Sequence, residues 1–367
     1  MFCDEEVHIN MSTDTPQRLD SKICPADDND EPFSDASSTY WPEGWNWARL
    51  SDPEANLAAL SEDEKIKMFD GLKEVLGEEG VGRLSVYRRR KYQRRQDQQL
   101  RDAGVPPPEY KAPEYLKLSR QRYSNGHPWG FVAFRTVLYD NEEMWMEFKD
   151  RTQRILNIAF DHVVEDHRGH EYEEVALARK NFTLHWVEDK ELDGANEDTL
   201  REWYRKRKEA VPAGMGYNLF LSTCSESVDL VLSGRLPNLD SFHWRDDAPF
   251  LLVVMESIEE NPHGDDEEEP YDPYDPHHEK NWYQSVFKVP IEIIPDTLWP
   301  EIEMAITPPT RLTRKVKGFN HLLGGQKPRE IPLIGDLNEL WWGMMPSPRR
   351  LRERAKLRGF PEPIYFF

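Results

Sequence analysis

Cysteine is scarce. Cys3, Cys24 and Cys224 are the three in 367 residues, and no two stand at a spacing that fits a disulfide framework or a zinc knuckle. Long apolar runs are missing too: no stretch approaches the ~18–20 residues that cross a bilayer, so no membrane span is expected. The first residues, MFCDEEVHINMST, have neither a basic start nor an apolar run. No secretion signal is expected from them, and a reduced, cytoplasmic protein is. The glycine signatures of nucleotide sites are also lacking. MGYNLF, with Gly214 and Gly216, has neither Gly-Lys-Ser/Thr nor dinucleotide spacing, and no kinase, hydrolase or zinc-protease motif occurs. No cofactor is expected.

Positive charge is in deficit as well, with 47 Lys and Arg against 68 Asp and Glu, a net charge of −21. Phosphate is repelled at long range by such a total, which argues against nonspecific DNA binding. The charge is segregated, however, and the blocks say more about partners than the sum. Residues 1–37 hold ten acids and two bases, and 259–279 hold ten acids with no Lys or Arg. Residues 83–101 hold eight bases and one acid, and 311–358 hold twelve bases and four acids.

At this length, 12 Trp, 14 Tyr and 16 Phe supply a real core. Residues 1–40 read as a disordered acidic tail. Trp41, Trp45 and Trp47 follow, too apolar to stay in water. Residues 41–104 read as a helical region with a basic segment: apolar positions recur at three-to-four spacing, Ser61 and Glu64 form a capping-box pattern, and Gly104 ends it. Residues 105–128, opening with VPPPEYKAP, read as a linker.

Residues 129–306 alternate strands with helices. Strands are expected in 129–139, 181–189, 217–224, 249–257 and 283–291, and helices after Asp140, in 196–211, in 225–235 and, interrupted by Pro300, in 295–306. Asp140 with Glu143, and Thr223 with Glu226, are read as capping boxes. The expectation is an α+β fold, a mixed or antiparallel sheet covered by helices, with ferredoxin-like units as one arrangement. Residues 307–367 read as a basic, irregular C-terminal extension.

Three segments carry candidate chemistry. HGDDEEEPYDPYDPHHEK (263–280) lies between two expected strands, and a solvated loop is its simplest reading. Asp265, Asp266, Asp272, Asp275, His277 and His278 are suitable metal ligands, although no fixed ligand motif is present. Asp265, Asp266 and Glu269 have an Asp-Asp-x-x-Glu spacing, which on a helical turn converges carboxylates suited to a guanidinium or ammonium. VYRRRKYQRR (86–95) interleaves Tyr87 and Tyr92 with Arg88, Arg89, Arg90, Lys91, Arg94 and Arg95. Such cations reach RNA phosphates while tyrosines stack on unpaired bases; neutralising this chain's own acidic blocks is the alternative. LSTCSES (221–227) sets Ser222, Thr223, Cys224 and Ser225 at a strand-to-helix turn, read first as a cap. His185, among apolar neighbours, is expected in the core.

WGFVAFRTVLYDNEEMW, FTLHWVEDKELDGANEDTLREWYRKR and LFLSTCSESVDLVLSG resemble a large group of fungal proteins of mostly unassigned function, over roughly residues 129–305. Asp265, Asp266 and Glu269 resemble the Asp-Asp-x-x-Glu motif of the fungal tRNA-dependent arginine-containing cyclodipeptide synthases. That resemblance implies an enzyme taking arginine from arginyl-tRNA, with the three acids needed for activity. An aminoacyl ester is already activated, so such an enzyme needs no ATP site. A non-enzymatic protein- or RNA-interaction module and a metal-dependent hydrolase using 265–278 are the other readings.

Overall fold

The computed structural model of the chain describes residues 33–52, 54–123, 126–234, 236–241, 243–257, 284–305, 312–313 and 340–343. They fall into two compact units. One is built of the described residues up to Ser51 with Ala55–Leu76, the other of Asp52–Glu54 and the described residues from Gly77 onward. The division falls inside α2 (Glu62–Asp102), which leaves helical geometry at Gly77 with φ 67° and ψ 177°, a conformation that glycine adopts without a Cβ clash. The linker expected at 105–128 contains a helix, α3 (Glu114–Arg122), which buries Tyr115 and Leu116 in the core of the larger unit.

In the smaller unit, α1 (Trp47–Ser51) starts where the Asp35 carboxylate accepts from the Trp47 amide at 2.7 Å. Phe33 lies 5.3 Å from the Trp47 ring, and Trp45, Leu50, Met68 and Leu72 are buried. The Ser61–Glu64 capping box forms at the start of α2, Glu64 accepting from the Ser61 amide at 3.1 Å.

The larger unit has a five-stranded mixed sheet covered by helices. In chain order it runs β1 (Trp129–Phe134), α4 (Glu142–Leu156), α5 (Ile158–Asp166), α6 (Glu173–Asn181), β2 (Phe182–Val187), α7 (Glu197–Arg207), β3 (Leu219–Ser222), α8 (Ser225–Ser233), β4 (Phe250–Met255) and β5 (Val286–Pro290). A 3-10 turn (Ile291–Ile293), a π turn (Ile294–Leu298) and α9 (Trp299–Glu303) follow. Pro300 sits at the start of α9, where its missing amide is tolerated.

The strand order is β2-β1-β3-β4-β5, with β1 parallel to β2 and β3, and β4 antiparallel to both β3 and β5. This is the mixed sheet; ferredoxin-like units, which are antiparallel throughout, are not what the described residues form. Central β1 is buried along its whole length because both sheet faces are covered, which is why WGFVAF reads as a continuous apolar run. On one face Phe131, Leu221, Val253 and Phe287 pack in a cluster with Trp145 and Trp299; on the other Val132, Phe134 and Phe220 pack with Leu200 and Tyr204. Edge strand β2 is only half covered, and His185 on it is exposed rather than in the core.

Local sequence signals shift by a residue or more in three places. The cap of α4 is Asn141, accepting from the Met144 amide at 3.1 Å, not Asp140 with Glu143. The cap of α8 is Cys224 with Ser227, not Thr223 with Glu226, because Thr223 is spent on β1 and Glu226 on Lys288. The helical stretch after Asp140 divides at Asn157 into α4 and α5.

Pairing of Phe134 with Ser222, Ser222 with Leu252 and Leu252 with Lys288 brings the carboxyl ends of β1 and β3 level with the start of β4 and the end of β5. The chain visits β2 on one side of β1 and then β3 on the other. In sheets of this kind ligands collect at such a switch point, outside the carboxyl ends of the parallel strands.

Gly130 fixes the β1–β2 approach. Its φ is 139°, and a Cβ there would lie 2.1 Å from the Thr183 carbonyl oxygen. Gly130→Ala is expected to cost several kcal/mol by strain and lost pairing, lowering Tm by ten degrees or more or abolishing soluble expression. Circular-dichroism melts check this; a wild-type Tm would contradict the register.

Candidate functional site

The carboxyl ends of β1 and β3 are spliced by threonines. The Thr136 amide donates to Thr223 Oγ1 at 3.0 Å, and Thr136 Oγ1 donates to the Thr223 carbonyl at 2.7 Å. Ser222 is buried with its hydroxyl on the Thr223 carbonyl. Neither hydroxyl is available as a nucleophile, and Cys224 caps α8. This turn is structural.

Ionisable groups gather instead around the segments that lead into β4 and out of β5. Glu292, in the 3-10 turn after β5, is buried and takes both Nη atoms of buried Arg245, one at 2.9 Å. His243 Nδ1 lies 3.7 Å from the same carboxylate, and half of the His243 side chain is open to solvent. His243 and Arg245 meet one carboxylate from either side of Trp244, which adopts φ 60°, a left-handed conformation costly for a bulky residue. Burial works to raise the Glu292 carboxyl, but the His243 and Arg245 contacts outweigh it and hold the group below the usual carboxylate range. Trp342 flanks the group, its ring 5.2 Å from the imidazole and 5.5 Å from the Arg245 guanidinium.

One turn on, Asp296 sits in the π turn, a geometry frequent at functional sites. It is enclosed by protein yet keeps some solvent contact. It accepts from the Thr297 hydroxyl at 3.0 Å and forms no ion pair among the described residues. Burial pushes its carboxyl up to about 6, against the pull of Thr297 and His243.

His162 on α5 completes the set. Arg90 Nη2 lies 2.9 Å from His162 Nδ1; a guanidinium only donates, so Nδ1 accepts. Burial, with the nearby Arg90 and His243, lowers this imidazole to about 4 and keeps it neutral. Groups shifted this far, gathered at a switch point, mark a functional-site candidate.

The sequence singled out other residues. Asp265, Asp266 and Glu269 lie outside the described residues, as do Asp272, Asp275, His277 and His278. Among the described residues no group of three His, Cys, Asp or Glu is placed to hold a metal ion. The basic segment is on α2. Arg90 pairs with Glu165, Arg94 with Asp240 at 2.9 Å, and Arg95 with Glu54 at 2.8 Å. Lys91 lies over the Tyr87 ring at 5.7 Å. Arg88 is half-buried, its pKa lowered by desolvation, and Arg89 is exposed; neither forms an ion pair among the described residues. Among the described residues Glu54, Glu165 and Asp240, outside both acidic blocks, pair with Arg95, Arg90 and Arg94.

Sequence reading missed His162, His243, Arg245, Glu292 and Asp296. A signal was present in VPIEIIPDTLW, where two acids interrupt an apolar run and so must be either buried or exposed at the cost of their neighbours.

Asp296 and His162 make opposite contributions to stability. With Asp296 raised to about 6 from an ordinary 3.8, the folded state holds the extra proton between those values, so its contribution improves as pH falls through 6. With His162 lowered to about 4 from 6.5, the unfolded state holds the extra proton, so its contribution worsens as pH falls from 6.5 to 4. Asp296→Asn removes the first alone. It is expected to stabilise the protein by ~1–3 kcal/mol at pH 8 and to steepen the loss of stability between pH 6.5 and 4. Denaturant midpoints at pH 8 and 4.5 measure both; an unchanged pH dependence would contradict the burial of Asp296. No family model, curated protein or solved structure matches this chain, so its geometry alone stands behind the site.

Proposed function

We propose that the chain is a tRNA-dependent acyl-transfer enzyme, a cyclodipeptide synthase that joins arginine from arginyl-tRNA to a second amino acid as a diketopiperazine. The observation that carries the enzyme reading is the cluster of ionisable groups beyond the end of β5, where Asp296 is raised to about 6 and His162 lowered to about 4 near the half-open His243. A carboxyl raised to about 6 can change protonation near neutrality, which suits general acid–base work. Each amide bond forms as an α-amine attacks an ester carbonyl; the amine loses a proton and the released ribose hydroxyl gains one. The Asp265, Asp266 and Glu269 pattern supports the arginine half of the reading, through convergent carboxylates suited to a guanidinium. Arg88 and Arg89, which form no ion pair among the described residues, support the tRNA half.

A second reading, a non-enzymatic interaction module, draws support from Arg90, Arg94 and Arg95, whose charges are already balanced within the chain. The metal-dependent hydrolase rests wholly on residues 265–278, outside the described residues. No described helix is long and apolar enough to cross a membrane.

Mass spectrometry of cells expressing the protein should show a new arginine-containing cyclic dipeptide that disappears in a folded Asp265/Asp266/Glu269-to-Ala variant. Absence of any such product from soluble wild type with ample arginyl-tRNA would sink the synthase and favour the module. In tRNA binding, Arg88→Ala with Arg89→Ala should reduce the salt slope by about one to two while leaving Tm unchanged.

A further inference from the structure

We infer that His243 is the proton acceptor of this cluster, held in position by Glu292, which Arg245 in turn fixes. The inference rests on the acyl-transfer reading and adds the group that performs the proton step. Three observations carry it. His243 is half open to solvent while Glu292 and Arg245 are both buried, so the imidazole is the member of the set that a substrate can reach. Its Nδ1 faces a carboxylate that two guanidinium bonds hold still, the arrangement of a base oriented by a third group. The backbone between His243 and Arg245 is strained at Trp244, and strain of this kind concentrates at functional sites.

The 3.7 Å between Nδ1 and Glu292 Oε1 is longer than a hydrogen bond, as such contacts often are before substrate binds. When the imidazole takes a proton on Nε2, Nδ1–H can close on Glu292, whose charge offsets the new cation. Arg245 acts against that by holding part of the carboxylate's charge, and among the described residues Asp296, the neutral His162, Asp247 beside Arg245 and Asp240 near His162 also face the group. In the amide-forming step the α-amine nitrogen bonds the ester carbonyl carbon. His243 takes the proton released from that nitrogen, the carbon–oxygen bond to the ribose breaks, and the proton passes to the leaving ribose oxygen. Atoms and charge balance without a metal or an oxidant. Trp342, its ring tilted by 39° against the imidazole at 5.2 Å, limits the directions from which substrate can approach.

His243→Ala, a half-exposed truncation, should fold. In the product assay kcat is expected to fall ~100- to 10,000-fold with KM for arginyl-tRNA little changed, and added imidazole to restore part of the rate. Full activity in the folded variant, or a loss that imidazole does not relieve, overturns the inference. A reactivity test stands apart from any product. Diethyl pyrocarbonate should modify His243 several-fold faster than exposed His185, and Glu292→Gln should slow that reaction at His243 alone. Equal rates at His243 and His185 overturn the role of Glu292 and Arg245 even where the synthase is real. A fast, Glu292-dependent His243 in a protein that makes no cyclic dipeptide keeps the base and removes the substrate.

Discussion

The Arg245–Glu292 pair is the contact on which the carboxyl end of the sheet depends. Both side chains are buried, and both come from segments outside the strands: Arg245 from the lead into β4, Glu292 from the turn after β5. Taking two charges out of water costs several kcal/mol each, and the cost is offset only while both partners and their hydrogen bonds are present. Removing either would leave a buried charge worth about 3–5 kcal/mol of instability. The pair is thus a poor source of net stability and a strong source of uniqueness. It fixes which way the 240s loop folds over β5, and with that the position of His243, Trp342 and the turn holding Asp296.

A second constraint follows from charge. A chain with net −21 has acids to spare, and α2 spends its arginines on them one by one. Arg90 does the most, reaching Glu165 and His162 on α5 and lying 3.7 Å from Asp240. By donating to Nδ1 it holds His162 in one tautomer, and by its charge it opposes protonation there. The same arginine that looks like an RNA contact in sequence is therefore a determinant of the ionisable cluster. Arg88 and Arg89, one step around the helix, are left for other work.

Much of the architecture was legible because strands and helices leave periodic traces. WGFVAF read as a buried strand, Gly104 as the end of a helical region, and Ser61 with Glu64 as a cap, and each is found. What failed was anything set by a distant neighbour. His185 looked like a core residue among Leu184 and Trp186, but β2 is an edge strand and that side chain points to water. Thr223 looked like a cap, but its hydroxyl completes the splice to β1, leaving Cys224 the cap role. Tyr115 and Leu116 follow a proline-rich stretch and read as linker, yet they bury against the sheet. The site was the least legible part. His162, His243 and Asp296 come from three separated segments, and their proximity depends on the strand order, which a single sequence does not carry.

The register also sets which segments leave from which end of the sheet. β4 ends at Met255 beside Leu219, the first residue of β3, and β5 begins near the same end. That end, at the amino ends of the parallel strands, is held by α7: Arg201 bonds the carbonyls of Met255 and Ser285, and Lys208 pairs with Glu256. Glu292 and Asp296 follow the opposite end of β5. One set of cations, Arg201 and Lys208, thus ties the ends of β4 and β5 together, while another, Arg90 and Arg245, orders the ionisable groups at the opposite end, so the two ends of the sheet are fixed independently.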